Sequence, residues 1–234
     1  MPKTKGPGRP RKDPRPRSHP PEEEILRAAG KLFAAKGFAG TSTRQIAEAA
    51  GLKQPALYHY YTSKEDLLRA LSERALVRPL EALEGIAAVP GRPSAKLYLV
   101  VTFHVRHLCS EPFDLTAVMQ DAFTLSRKRF RGWYQSVDRY TQGFGDLIEA
   151  GIKGREFVAP DARITALAML GMCNWTLRWY RKGGRWSPDQ IGDQFARLAL
   201  RSLLREPSRL ETIVGEARTL RASAPVAALF DIPG

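Results

Sequence analysis

Thr41-Ser42-Thr43-Arg44-Gln45-Ile46-Ala47-Glu48-Ala49-Ala50-Gly51-Leu52-Lys53-Gln54-Pro55-Ala56-Leu57-Tyr58-His59-Tyr60-Tyr61 is the stretch on which the fold turns. Ser42 followed by Gln45 three residues on forms a capping box, so a helix opens there. Ile46, Ala47 and Ala50 form its apolar side, and Gly51 ends it. A second short helix is predicted from Gln54 to Tyr60, with Pro55 tolerated in its first turn. Two short helices joined by a tight glycine turn make a hairpin too small to hold itself together, so its neighbours must supply the rest of a core.

Upstream, Glu22, Glu23 and Glu24 occupy a helical first turn, where the helix dipole favours negative charge. Ile25, Ala28, Ala29, Leu32 and Phe33 follow at helical spacing, and Gly37 stops the run. Downstream, Ser63 with Asp66 opens a helix that carries Leu67, Leu68 and Leu71 to about Pro79. Past a Gly/Pro break at 90–93 only helical patterns recur. Ser94 is placed to cap a helix through Leu97, Val100, Val101, His104, Val105 and Leu108. A long helix carries Phe130, Trp133, Val137, Tyr140, Phe144, Leu147 and Gly151 on one side. Asp161 caps a near-continuously apolar helix to Tyr180; Gly183-Gly184 break it, and Ser187-Pro188 open a last strong helix. No alternating strand pattern occurs. The expected fold is all-α, with an N-terminal three-helix helix-turn-helix unit over 22–80 and a helical core over 94–204. Residues 1–21 read as a disordered basic arm, and 205–234 as a weakly ordered C-terminal tail.

The 234 residues carry a formal charge of +13, from 37 Lys+Arg against 24 Asp+Glu. Residues 1–19 hold seven basic side chains against Asp13, a net +6 that leaves +7 for the rest. A basic arm on a globular body implies contact with a polyanion, most often nucleic acid. Within it Pro7-Gly8-Arg9-Pro10-Arg11-Lys12 resembles the core of an AT-hook, which would place Arg9 in a narrow minor groove. Cys109 and Cys173 are too few for a disulfide framework, no apolar leader precedes the first helix, and the most apolar stretch, 164–180, is interrupted by polar residues. A cytoplasmic protein without a membrane partner is expected.

The glycine turn between two short helices permits a helix-turn-helix, whose second helix enters the major groove of double-stranded DNA. Thr41-Ser42-Thr43-Arg44-Gln45-Ile46-Ala47, Ala49-Ala50-Gly51-Leu52, Leu57-Tyr58-His59-Tyr60-Tyr61 and Ser63-Lys64-Glu65, in that order, resemble the TetR family of bacterial transcriptional regulators over about residues 22–80. Ser42 and Thr43 stand at a helix N-terminus, where hydroxyl and backbone N–H can hold a phosphate. Arg44 suits bidentate reading of guanine, Gln54 pairs with adenine, and Pro55 and Ala56 can touch a thymine methyl. The resemblance makes Tyr58, His59 and Lys64 phosphate clamps. Lys53 departs from the family, which usually has a capping serine there; lysine cannot accept the orphan N–H bonds and is free for a phosphate or base.

The resemblance further implies a homodimer on a pseudo-palindromic operator and a small-molecule effector bound in the second half. Leu170-Gly171-Met172-Cys173-Asn174-Trp175-Thr176-Leu177-Arg178-Trp179-Tyr180 and Gly183-Gly184-Arg185-Trp186-Ser187-Pro188 resemble a subgroup responsive to CoA thioesters. Such a ligand needs apolar walls, for which Phe103, Phe123, Trp133 and Met169 are candidates, and cations for its phosphates, for which Arg178, Arg181 and Lys182 are candidates. Ala168 and Gly171 would allow close helix approach in a dimer. His104, His107 and Cys109 invite a metal reading, but no fourth ligand is evident, so no metal is expected. No cofactor motif or nucleophile elbow occurs, which argues against an enzyme. The alternative is an architectural DNA-binding protein acting mainly through its arm, which would lose DNA altogether when residues 1–19 are deleted.

Overall fold

A computed structural model describes residues 22–110, 126–158 and 161–231. Arg9, Phe123 and the arm over 1–21 lie outside the described residues. Helix α1 spans Glu22–Lys36, and Gly37 follows it at φ 73, a left-handed conformation open to glycine without steric cost. Helix α2 spans Thr43–Ala49, with the Ser42–Gln45 capping box formed in both directions. Helix α3 covers only Gln54–Leu57, and residues 58–60 are turn. Helix α4 runs from Lys64 to Ala88, capped by Ser63, whose side chain accepts from the Asp66 N–H.

Pro79 was expected to close α4 and does not. Proline has no N–H, so the carbonyl of Ala75 loses its helical partner. His107, on helix α5 (Pro93–Ser110), donates its Nε2 proton to that carbonyl at 3.1 Å. The repair from a neighbouring helix lets α4 continue for 25 residues, about 37 Å at 1.5 Å per residue. Ser94 also differs from expectation: it is fully buried inside the first turn of α5, and its hydroxyl donates to Glu156 instead of capping.

Helix α6 spans Arg131–Lys153 and α7 Ala162–Asn174, the latter capped by Asp161 as expected. Trp175 then breaks the apolar run, so Thr176–Trp179 forms a separate short helix, α8. Helix α9, Pro188–Leu203, opens on a Ser187–Gln190 capping box. The expected weakly ordered tail is instead two helices, α10 (Leu210–Ala222) and α11 (Ala224–Phe230). Ile213, Val214, Ala217, Val226 and Phe230 are buried in the main core, which supplies the packing that local propensity lacks. Among the described residues the only β-type pairing is an isolated antiparallel bridge between Phe157 and Leu204. Phe157 lies against Gly151, where an added Cβ would sit 2.1 Å from the ring.

The apolar residues sort into two cores. One gathers Ile25, Phe33, Ile46, Leu57, Leu67, Leu68 and Leu71 from α1–α4. The other gathers Leu83, Ile86, Leu97, Phe103, Phe144, Met169, Leu200 and Ile213 from the rest. Trp133, expected beside Phe103 and Met169, packs with Phe130 into the first core, because the start of α6 reaches down onto α4. Helices α4 and α6 therefore cross both cores. Among the described residues no helix is long and apolar enough to cross a membrane.

Candidate nucleic-acid interface

The α2–α3 unit is held by short polar ties around a small apolar centre. Gly51 takes φ 70, and the Leu52 N–H returns to the Ala47 carbonyl at 2.8 Å, which turns Leu52 into the core beside Ile46 and Leu57. Buried Thr41 donates to the Gly37 carbonyl at 2.9 Å, so the end of α1 is fixed to the start of α2. Leu57 is core, and the turn of the motif is thereby set from inside.

The outward surface carries the expected polar residues. Arg44 is 76% exposed, and its Nε donates to Glu48 at 3.0 Å. That bond engages Nε alone, so the two terminal nitrogens remain for a bidentate contact. Glu48 was missed in reading the sequence, although its i+4 spacing from Arg44 is a recognisable pairing signal. Gln54 donates through Nε2 to Thr43 Oγ1 at 3.1 Å, and Thr43 Oγ1 lies 3.3 Å from the Tyr58 hydroxyl. Hydrogen bonding by Thr43, then by Gln54, pulls the Tyr58 phenol below its ordinary value. Thr43, Gln54 and Tyr58 thus form one surface polar cluster that ties the two helices together. A base contact by Gln54 would exchange its bond to Thr43 for one to DNA.

The remaining candidates separate by exposure. Lys53, Pro55 and His59 are exposed. Lys53 gives α3 no side-chain cap, as its departure from the family pattern implied. Ala56 is only half exposed and packs partly against the N-terminal core. Ser42 is exposed, but its hydroxyl is committed to Gln45. Lys64 has a different task from the phosphate clamp expected of it: its ammonium donates to the Phe38 carbonyl at 2.6 Å and the Thr41 carbonyl at 2.8 Å, and sits 4.2 Å from the centre of the Phe38 ring. It pins the start of α4 to the loop before α2, and so positions the reading head on the long helix.

The candidate effector residues do not converge. Phe103 is buried, stacked on His107 and met edge-on by Phe230 at 5.5 Å. Met169 is buried in the same core. Arg178, Arg181 and Lys182 are exposed; Lys182 alone borders a cleft of about 270 Å³, with Arg106, Cys109, Ser110, Tyr180, Pro188 and Asp189. Nor do the histidines form a ligand set. His104 Nδ1 meets the Tyr140 hydroxyl and Nε2 the Asn174 carbonyl oxygen, both at 3.1 Å. Burial pushes His104 and His107 each down to about 4, and pushes Cys173 up to about 12. No group of three potential metal ligands occurs among the described residues.

Comparison with known proteins agrees with this organisation. Residues 25–71 match the family model for bacterial regulatory proteins of the tetR family, and residues 90–203 the tetracyclin repressor-like C-terminal domain. The HTH-type transcriptional repressor KstR2 of Rhodococcus jostii (strain RHA1) is 27% identical over 183 residues, covering 77% of this chain and 89% of that protein. The TetR family transcriptional regulator PfmR of Thermus thermophilus superposes with a TM-score of 0.71 at 30% identity, over 77% of this chain and 99% of that one. AibR, in complex with isovaleryl coenzyme A and operator DNA, shares the fold at a TM-score of 0.67 and 22% identity, over 75% of this chain and 96% of its own. These matches give no support to an architectural protein working through its arm. The chain belongs to the TetR family of bacterial transcriptional regulators, which are DNA-binding proteins rather than enzymes.

Proposed function

We propose that this chain is a cytoplasmic repressor that binds a pseudo-palindromic operator as a homodimer and leaves it when a small hydrophobic effector, in particular a CoA thioester, occupies its C-terminal half. The carrying observation is the outward surface of Arg44, Lys53 and the Thr43–Gln54–Tyr58 cluster on an α2–α3 unit pinned to α4 by Lys64. Arg44 reads guanine, Gln54 adenine and Pro55 a thymine methyl, while Thr43, Tyr58 and His59 take phosphates.

The dimer reading rests on an unpartnered apolar stripe. Ile164, Leu167, Ala168 and Gly171 share one face of α7, with Ile164 68% exposed, and Trp175, just past its end, is 64% exposed. A Cβ added at Gly171 would meet nothing, so that face is open to close approach by another helix. Leu198 on α9 is exposed alongside. Pairing these faces in two chains gives a four-helix interface and two recognition helices about one DNA turn apart. The repressor reading is supported by the likeness to KstR2, a repressor, and the thioester reading by the fold shared with AibR, crystallised with isovaleryl coenzyme A and operator DNA. Effector binding in the C-terminal core would act through α4, whose Leu67, Leu68 and Leu71 belong to the reading head.

Fluorescence anisotropy on DNA from the chain's own upstream region, with and without a panel of acyl-CoA thioesters, tests both parts. Release by a thioester but not by its free acid is the expected result. Tight, sequence-specific binding that no thioester disturbs would keep the regulator and remove the effector class; binding without sequence preference would remove the operator.

A further inference from the structure

Helix α11 has seven residues, too few to hold a helix in water, so its place is set by what it lies on. Pro225 stands in its first turn, where a missing N–H costs nothing. Val226 and Phe230, four residues apart, turn one side of it into the core of the body. Phe230 meets the Phe103 ring of α5 edge-on, and the Arg221 guanidinium of α10 covers the Phe230 ring, 4.4 Å from its centre.

Two further ties fasten α11 to α4. At Gly85 the three atoms nearest an added Cβ all belong to Leu229, the first at 2.8 Å. Glycine weakens a helix interior; here it gives Leu229 a seat directly on the α4 backbone. Arg78 Nη2 donates to the Asp231 carbonyl at 2.8 Å, so α4 satisfies a carbonyl at the end of α11 that has no partner within its own helix. Arg78 and Gly85 bracket Pro79, the one place where α4 lacks a hydrogen bond of its own. Helices bend most readily at proline, and α11 holds this one on both sides of the weak point.

We propose that α11 is a positioning clip: seated on α4 before and after Pro79, it fixes the angle at which α4 carries the reading head, and with it the separation of the two heads on DNA. The clip rests on the homodimer reading above and is independent of the effector. The lever makes that angle critical. From Pro79 back to Lys64, the start of α4, is about 22 Å at 1.5 Å per residue. A bend of about 9° at the proline therefore moves the head by about 3.4 Å, the rise of one base pair.

The test is binding of the full chain to the operator in its own upstream DNA, and to copies with one base pair added or removed between the half-sites. The unaltered chain should lose about tenfold or more on the altered copies, because only one head then reads its bases. Leu229→Ala empties the seat on Gly85, and Gly85→Leu fills it against α11. Each should weaken binding to the operator and cut the spacing penalty to about threefold, since a freed α4 reaches either spacing. Leu229 is only half-buried, so its variant stays informative where Gly85→Leu perturbs folding. Ile213→Val, which thins the same core on α10, should keep the full penalty and so separates positioning from loss of stability. An unaltered chain indifferent to spacing removes the two-headed operator and the clip together. A full penalty kept by both Leu229→Ala and Gly85→Leu, or one relaxed equally by Ile213→Val, overturns the clip alone.

Discussion

The reading head and the helical body are held together by different means. In the head, a small apolar core is fixed by side chains bonded to backbone: Thr41 to Gly37, Lys64 to Phe38 and Thr41, Ser42 to Gln45. In the body the cohesion is apolar and aromatic, with Tyr140 and Phe144 at 5.2 Å and His104 edge-on to Phe144. Its polar groups, His104, Tyr140 and Asn174, are drawn inward and satisfied there. Short directional ties keep a small surface in one geometry. A core built on area and shape tolerates the exchange of one apolar side chain for another of like volume, but resists added volume. The division of labour sets a directionally tied reader on a body held by packing.

The comparison breaks most visibly at Phe144, which is fully buried. Phe144→Ala should cost about 3–5 kcal/mol of stability, read by urea unfolding, while the ratio of operator to random-DNA affinity in the folded fraction stays unchanged. A shift in that ratio would show that the body sets base reading directly.

Acid should separate the two regions next. His104 and His107, ordinarily near 6.5, sit at about 4 in the folded chain, buried and neutral. Unfolded chains bind the protons that these folded sites refuse, so this contribution is whole above pH 6.5 and is lost as pH falls towards 4. The loss is roughly 3 kcal/mol per histidine across that window. Melting curves between about pH 7 and pH 4 should fall steeply, and His104→Asn should flatten them. A slope unchanged in that variant would exclude His104 as a source.

At the head the effects are smaller and fall on DNA. Arg44→Ala should weaken operator binding by about 1–3 kcal/mol and relax specificity at one base pair; equal loss on random DNA would make Arg44 a phosphate contact. Lys64→Met should weaken every sequence, yet leave the salt dependence of binding unchanged, because the ammonium is held on two carbonyls and not on a phosphate. A slope reduced by about 1 would return Lys64 to direct phosphate contact. Smallest of all, Lys53→Ser should restore the missing cap of α3 and raise stability by up to about 1 kcal/mol in thermal melts. No gain would mean that the N-terminus of α3 is already satisfied.

What could be read from the chain follows the same division. Capping boxes at Ser42 and Ser187, the caps Ser63 and Asp161, and the glycines at 37 and 51 act within four residues, so their elements were legible. Side chains directed outward at the head were legible for the same reason, since exposure follows from helix phase. Trp133 was not, because the core a residue joins is decided by how α6 crosses α4. The helices over 210–230 escaped notice because their stability comes from packing against a core made by residues far away in sequence. Lys64 looked like a clamp because nothing local reveals that two carbonyls converge on it.

The proline in α4 has a consequence for how the two regions communicate. Every backbone carbonyl within a continuous helix is normally satisfied by that helix alone, which can then slide or tilt as a closed object. At Ala75 this independence is surrendered: one rung of the ladder belongs to His107 on another helix. The joint lies between the leucines that serve the reading head and Leu83 and Ile86, which serve the body. Helix α5 is thereby spliced into the shaft that carries the reader, and any displacement of α5 must either move that shaft or strand a buried carbonyl.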